Sequence, residues 1–170
     1  ITHHAILAQM HGFESFVLGV ELAKATVSHE DAWRDIAKRV RQLYGGELLY
    51  AANWGPELEN VTFWDAFDAI GVDCYYPISR DENATDAELQ EGAMQVVQRL
   101  EVLHKKYRKP VVLTEVGFAS REQSWIDPHV DGRGAELDLR AQERSYEAMF
   151  GAFYHQPWLS GMYIWKWPTF

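Results

Sequence analysis

Two hydrophobic rhythms alternate along the chain. Short, nearly continuous apolar runs have the character of buried strands, and between them apolar residues recur at helical spacing. Ser15 to Leu22 (SFVLGVEL) is the first run. Ser28 then offers a helix N-cap, Trp33, Ile36, Ala37, Val40 and Leu43 follow at helical spacing, and Gly45-Gly46 ends the segment. Glu47 to Trp54 (ELLYAANW) predicts a second strand, Val61 to Ala69 a short helix, and Ile70 to Ile78 (IGVDCYYPI) a third strand stopped by Pro77. Thr85 and Glu88 have capping-box spacing. The helix they open carries Leu89, Val96, Val97, Leu100, Leu103 and Tyr107 on one face and breaks at Lys109-Pro110. Val111 to Phe118 (VVLTEVGF) is the fourth strand, followed by a loop with Trp125, Pro128, Gly132 and Gly134. A helix from near Leu137 to Tyr154 uses Leu139, Tyr146, Met149, Phe150 and Phe153. Pro157 breaks it, and Leu159 to Trp167 (LSGMYIWKW) is the fifth strand. Thr2 to His11 reads as the end of another helix.

The order is β-α-β-α-β-α-β-α-β, which argues for an α/β fold with a parallel sheet and right-handed crossovers. A doubly wound sheet and a (β/α)8 TIM barrel both satisfy it. Five strands are too few to close a barrel, which takes about 250 residues, so as a barrel the chain supplies about strands 4–8. No repeat, low-complexity tract or polar linker divides residues 1–170, which read as one domain. The first residue is Ile1 and the last, Phe170, follows directly on a strand-like aromatic segment, so both ends read as cut. Such a fragment leaves two sheet edges and its inner face open. The chain is therefore expected to need an N-terminal half or to associate with itself.

Composition narrows the function classes. With 47% hydrophobic and 24% charged residues, the chain can bury a real core. Sixteen Lys and Arg against 25 Asp and Glu give a net charge of −9. An acidic excess without a basic cluster argues against nucleic acid and anionic membranes as partners. No apolar run approaches the ~20 residues of a membrane span. The one cysteine, Cys74, cannot form an internal disulfide. Aromatics reach 14%, including seven tryptophans, which suits either a large core or a surface that stacks flat ligands such as sugar rings.

In parallel α/β folds, functional groups gather at the carboxyl ends of strands. The first predicted strand ends in Glu21 and the second in Asn53-Trp54. The third ends in Asp73, Tyr75 and Tyr76, the fourth in Glu115, and the fifth in Trp165, Lys166 and Trp167. A carboxylate at the end of a buried strand is costly unless something uses it. For one isolated glutamate, a salt bridge or backbone cap explains it equally well. Two of them, flanked by aromatics at one end of the sheet, point to chemistry. Glycoside hydrolysis needs this set: one carboxyl protonates the leaving oxygen, the other attacks or stabilises the oxocarbenium-like centre, and flat rings stack on the sugar.

The motifs G-x-E-L at Gly19 to Leu22, Y-A-A-N-W at Tyr50 to Trp54, F-W-D at Phe63 to Asp65 and I-G-V-D-C-Y-Y-P at Ile70 to Pro77 occur in that order. T-E-V-G-F at Thr114 to Phe118, D-L-R-A-Q at Asp138 to Gln142 and the closing G-M-Y-I-W-K-W follow. Together they resemble glycoside hydrolase family 113, a clan A family of β-mannanases and related β-mannosidic hydrolases. The resemblance covers essentially the whole chain and matches the second half of that family's barrel. It implies a retaining double displacement, with the acid/base at Glu21 on barrel strand four and the nucleophile at Glu115 on strand seven. It also implies Tyr75 or Tyr76 beside the nucleophile, with Tyr75 favoured. Trp165 or Trp167 would be the sugar platform, and Asn53, Trp54 and Asp73 further substrate contacts. An ionised Glu115 should raise the pKa of Glu21 and keep it protonated until the glycosyl-enzyme forms. Many clan A enzymes place Asn before the acid/base, where this chain has Val20, so contact to the sugar 2-hydroxyl must come from another group.

Other candidates have plainer readings. His3, His4 and His11 lack ligand spacing, and no H-E-x-x-H or Cys/His cluster exists, so neither a metal nor another cofactor is implied. Asp127, His129 and Asp131 read as a solvated loop rather than a cation site. Cys74 reads as a buried strand residue, Trp33 as core, and Trp64 as either core or site. Asn60-Val61-Thr62 and Asn83-Ala84-Thr85 match the glycosylation pattern, which needs a secretory context. No G-x-S-x-G or phosphate loop occurs. Two alternatives to a β-mannosidic hydrolase remain at this level: a non-catalytic carbohydrate-binding or scaffold half-barrel, and another clan A hydrolase such as a β-glucanase or galactanase.

Overall fold

In the computed structural model, which describes residues 1–166, five strands form one sheet: β1 (Ser15–Val20), β2 (Glu47–Asn53), β3 (Ile70–Asp73), β4 (Val111–Val116) and β5 (Leu159–Ile164). All neighbours are parallel, and their order in space is their order in the chain. A doubly wound sheet reverses its order at a switch point, and this one does not. Every crossover advances in the same direction, as around the wall of a (β/α) barrel.

Helices fill the crossovers. After α1 (Thr2–Met10), α2 (Ala23–Ser28) and α3 (Glu30–Arg41) link β1 to β2. A short α4 (Pro56–Asn60) and a 3-10 turn (Trp64–Ala66) link β2 to β3, α5 (Asp86–Tyr107) links β3 to β4, and α6 (Leu139–Phe153) links β4 to β5. The Thr85–Glu88 capping box forms as expected: the Glu88 amide donates to Thr85 Oγ1 at 3.3 Å, and the Thr85 amide donates to Glu88 Oε2 at 2.7 Å. Asp138 caps α6 by accepting from the Ala141 amide at 2.9 Å.

Several expected elements differ. Ser28 closes α2 rather than capping α3, whose N-cap is His29 with no side-chain hydrogen bond. Of the helix expected over Val61 to Ala69 only the 3-10 turn forms, and α4 precedes it; Pro56 sits in the first turn of α4, where a missing N–H is harmless. The third strand stops at Asp73 and the fifth at Ile164. On α6 the buried stripe is mostly small, with Ala141, Ser145, Ala148 and Ala152 beside Met149 and Phe153, while Leu139 and Phe150 are exposed. Small residues let α5 and α6 approach closely. The same economy operates at Gly92 of α5, where an added Cβ would lie 1.7 Å from the Ile78 carbonyl oxygen.

Side chains alternate across each strand, and the two faces differ. Leu48, Tyr50, Ala52, Ile70, Val72, Val111 and Leu113 point to the helices and are buried with Trp33, Leu100 and Phe153. The opposite face presents Val17, Leu49, Ala51, Val112, Thr114 and Tyr163 around a concavity of about 340 Å³. Val17, Val20 and Tyr163 on that face are exposed. With β1 and β5 as edge strands, the isolated 170-residue chain is expected to sediment as a dimer or larger species. A single monomeric boundary over the whole concentration range would contradict that.

Candidate active site

β1 ends in an unusual backbone conformation. Glu21 has φ +51°, a left-handed geometry that costs a non-glycine residue about 1–2 kcal/mol. Two hydrogen bonds to β2 hold it. The Glu21 amide donates to the Ala51 carbonyl at 2.9 Å, and the next amide, that of Leu22, donates to Tyr50 Oη at 2.7 Å. The carboxyl of Glu21 is raised above the usual carboxylate range. Desolvation is the largest cause, followed by the charges of Glu115 and Glu57. The expected repulsion from Glu115 is therefore present but secondary to burial.

Three strands further on, register and a tyrosine organise the second carboxylate. The β3–β4 register shifts after Val72, so that Asp73 pairs with Glu115. Beyond Asp73 the chain leaves the sheet, and the Cys74 amide donates to the Glu115 carbonyl oxygen at 2.7 Å. This turn delivers Tyr75, whose Oη donates to Glu115 Oε2 at 2.6 Å. Burial first, then the bond to Glu115, keeps the Tyr75 phenol well above its ordinary pKa, so it remains a neutral donor. Gly117 is required here for close approach: a Cβ at this position would lie 1.9 Å from the Trp165 carbonyl oxygen.

Asp73 is fully buried. Its Oδ1 accepts from Thr114 Oγ1 at 2.7 Å, while Oδ2 has no hydrogen-bond partner among the described residues. Desolvation pushes its pKa up to about 7; the Thr114 bond opposes this, and the charges of Glu115, Glu21 and Glu57 reinforce it. Asp73, Thr114 and Glu115 all line the concave face of the sheet.

The other expected site residues divide. Asn53 ends β2 in register with Asp73. Trp165 is 55% exposed at the end of β5, its backbone N–H donating to the Val116 carbonyl at 2.9 Å. Trp167 lies outside the described residues. Tyr76 turns away from Glu115. Its Oη accepts from the Gly55 amide at 3.0 Å, its ring meets Trp54 edge-on at 5.4 Å, and the Arg99 guanidinium lies over it at 5.6 Å. Trp54 and Tyr76 line a separate cavity of about 510 Å³ between α4 and α5. The choice between the two tyrosines thus falls on Tyr75.

One carboxylate was missed. Glu57 of α4 is only 4% exposed and sits behind the Glu21 turn. An acidic residue in the first turn of a helix reads as a complement to the helix dipole. The available signal is its place between Pro56 and the apolar Leu58. Trp33 and Trp64 are core. Cys74 is buried, and desolvation pushes its thiol up to about 12. Asp131 pairs with Arg133 at 2.9 Å, and the ring of His129 lies 5.8 Å from that of Trp54. Among the described residues no group of three or more His, Cys, Asp or Glu could hold a metal ion, and no helix is long and apolar enough to cross a membrane.

Comparison with known proteins identifies a family. The profile of Glycoside Hydrolase Family 113 matches residues 1–170. The solved structure of a GH113 β-mannanase from Alicyclobacillus acidocaldarius, in complex with ManMIm, is similar at 35% sequence identity and a TM-score of 0.84 over 98% of this chain and 49% of that one. A GH113 β-1,4-mannanase complex is similar at 31% identity and a TM-score of 0.81, with the same coverage of 98% and 49%. A β-D-glucuronidase from Dictyoglomus thermophilum, at 19% identity and a TM-score of 0.62 over 89% of this chain and 25% of that one, shares the fold alone. The chain spans about half the length of the mannanases it matches. No curated protein sequence matches it significantly.

Proposed function

The chain belongs to glycoside hydrolase family 113, and from that premise we propose that it carries both catalytic carboxyls of a retaining hydrolase of β-mannosidic bonds. One observation carries the reading: Glu115 is held by the Tyr75 hydroxyl at 2.6 Å, while the carboxyl of Glu21, at the same carboxyl-terminal end of the sheet, is raised above the usual carboxylate range by burial and by Glu115 itself. The environment of Glu21 pushes its carboxyl towards the protonated form, which is the direction a general acid requires.

The reaction then follows from the residues. Glu115 attacks the anomeric carbon, and Glu21 gives its proton to the glycosidic oxygen as that bond breaks. The new ester removes the charge on Glu115, and with it one cause of the raised pKa of Glu21. Glu21, now a carboxylate, takes a proton from water as the water displaces Glu115 and restores it. Tyr75 orients Glu115 through both steps, and Trp165 offers an exposed ring to the sugar face. The relatives described as β-mannanases support β-1,4-mannan as substrate.

The test uses the full-length protein with mannan, β-glucan and galactan in parallel. Release of reducing ends from mannan is expected to exceed the others. Binding without release would favour a carbohydrate-binding scaffold, and preference for glucan or galactan a different specificity. Glu21→Ala is expected to lower kcat on mannan about 10²- to 10⁴-fold. On an aryl mannoside whose phenolate leaves unaided, the loss in kcat/KM, which excludes the base-assisted second step, should be much smaller. Equal losses on both substrates would remove Glu21 from the acid role.

A further inference from the structure

Resting on the glycosidase reading above, we propose that Glu57 is a positioning residue for Glu21, acting through Tyr50 and the Leu22 amide. The carboxylate of Glu57 is enclosed and fully engaged. Oε1 accepts from Tyr50 Oη at 2.6 Å and from Thr26 Oγ1 at 3.0 Å, and Oε2 accepts from the Asn53 amide at 2.8 Å. These donors come from β2 and α2, so one side chain of α4 ties three elements together. Tyr50 passes the constraint on. With its proton directed to Glu57, its oxygen is free to accept from the Leu22 amide at 2.7 Å, the peptide that follows Glu21. That bond and the Glu21–Ala51 bond clamp the left-handed residue from both sides.

A buried carboxylate is an expensive way to secure a loop, since apolar packing can do the same without desolvating a charge. Two features of this site make use of it. An anionic acceptor fixes the direction of the Tyr50 hydroxyl, which a neutral neighbour would leave free to rotate. The charge also acts at a distance, since Glu57 is one of the groups that raise Glu21, after burial and Glu115. Asp73 and Tyr75 sense the charge of Glu21 in turn, and Asp73 and Tyr50 sense that of Glu57. Glu57 therefore governs both where the acid stands and when it gives up its proton, without meeting the substrate.

Two variants separate these effects. Tyr50→Phe breaks the link to Leu22 and leaves the charge of Glu57, whereas Glu57→Gln removes the charge and keeps the side chain's size. In the full-length enzyme both are expected to lower kcat on a mannan oligosaccharide about 10- to 100-fold, with KM little changed. On a dinitrophenyl mannoside, whose first displacement needs no acid, kcat/KM, which reads that displacement alone, should fall by less than about threefold. In the full-length protein, a carboxyl-carbon NMR titration reads Glu21 without any turnover. Glu57→Gln is expected to move its midpoint to lower pH. Equal losses on both substrates together with an unmoved Glu21 midpoint would reduce Glu57 to a structural role and overturn the proposal. A wild-type enzyme inactive on both substrates would overturn the glycosidase reading instead, and the midpoint would still decide whether Glu57 acts on Glu21.

Discussion

Replacing Glu115 with glutamine is expected to lower kcat on β-mannan by about 10⁴-fold or more, the scale seen when a covalent nucleophile is removed. The amide oxygen can still accept from Tyr75, which donates to Glu115 at 2.6 Å in the parent chain, so the fold should survive. What disappears is the anion that attacks the anomeric carbon. The same change should reach Glu21. The charge of Glu115 is one of the causes that raise Glu21, so in the variant the Glu21 titration should move to lower pH. Steady-state kinetics and a carboxyl-carbon NMR titration check the two effects separately. Retained turnover would exclude Glu115 as the nucleophile, and an unmoved Glu21 would mean that the two carboxyls do not communicate.

The second large effect is on stability and comes from Asp73. Its pKa is about 7 in the folded chain, against about 3.9 for an unperturbed aspartate. The folded state therefore holds a proton that the unfolded state releases between about pH 4 and pH 7. Stability from this group is complete below about pH 4 and is lost as pH rises through 7. The shift of about three units corresponds to about 4 kcal/mol. Asp73→Asn removes the titration while retaining an oxygen to accept from Thr114. Relative to the variant, the parent chain should lose about 4 kcal/mol between pH 4 and pH 8 in urea unfolding. Parallel curves for the two proteins would show that Asp73 carries no such burden. The direction is informative, because carboxylates stabilised by ion pairs give the opposite trend.

The sites that the sequence exposes, and those it hides, have physical reasons. The strands are legible because helices cover one face and the other face lines a shared, largely apolar concavity, which makes the apolar runs nearly continuous. Glu21 and Glu115 stood out because they interrupt such runs. The winding of the sheet was not legible, since alternation of strand and helix says nothing about strand order, and only the observed pairing β1-β2-β3-β4-β5 removes the doubly wound option. Tyr75 and Tyr76 could not be separated by strand parity, because the strand ends at Asp73 and the turn after it sets both side chains. The small-residue face of α6 was masked by Leu139 and Phe150, large apolar residues that the structure leaves exposed. Glu57 was hidden for a similar reason: its position looks like an ordinary acidic first turn, and its burial depends on Tyr50, Thr26 and Asn53 arriving from elsewhere in the chain.

Glu115 as the covalent nucleophile is the claim on which the other roles depend. The direct measurement is to incubate the full-length protein with an activated mannoside whose C2 substituent slows the second displacement, and then to sequence the labelled peptide by mass spectrometry. The account predicts one sugar mass on Glu115. An adduct on another residue, or active turnover with no adduct and inverted anomeric configuration in the product, would contradict it.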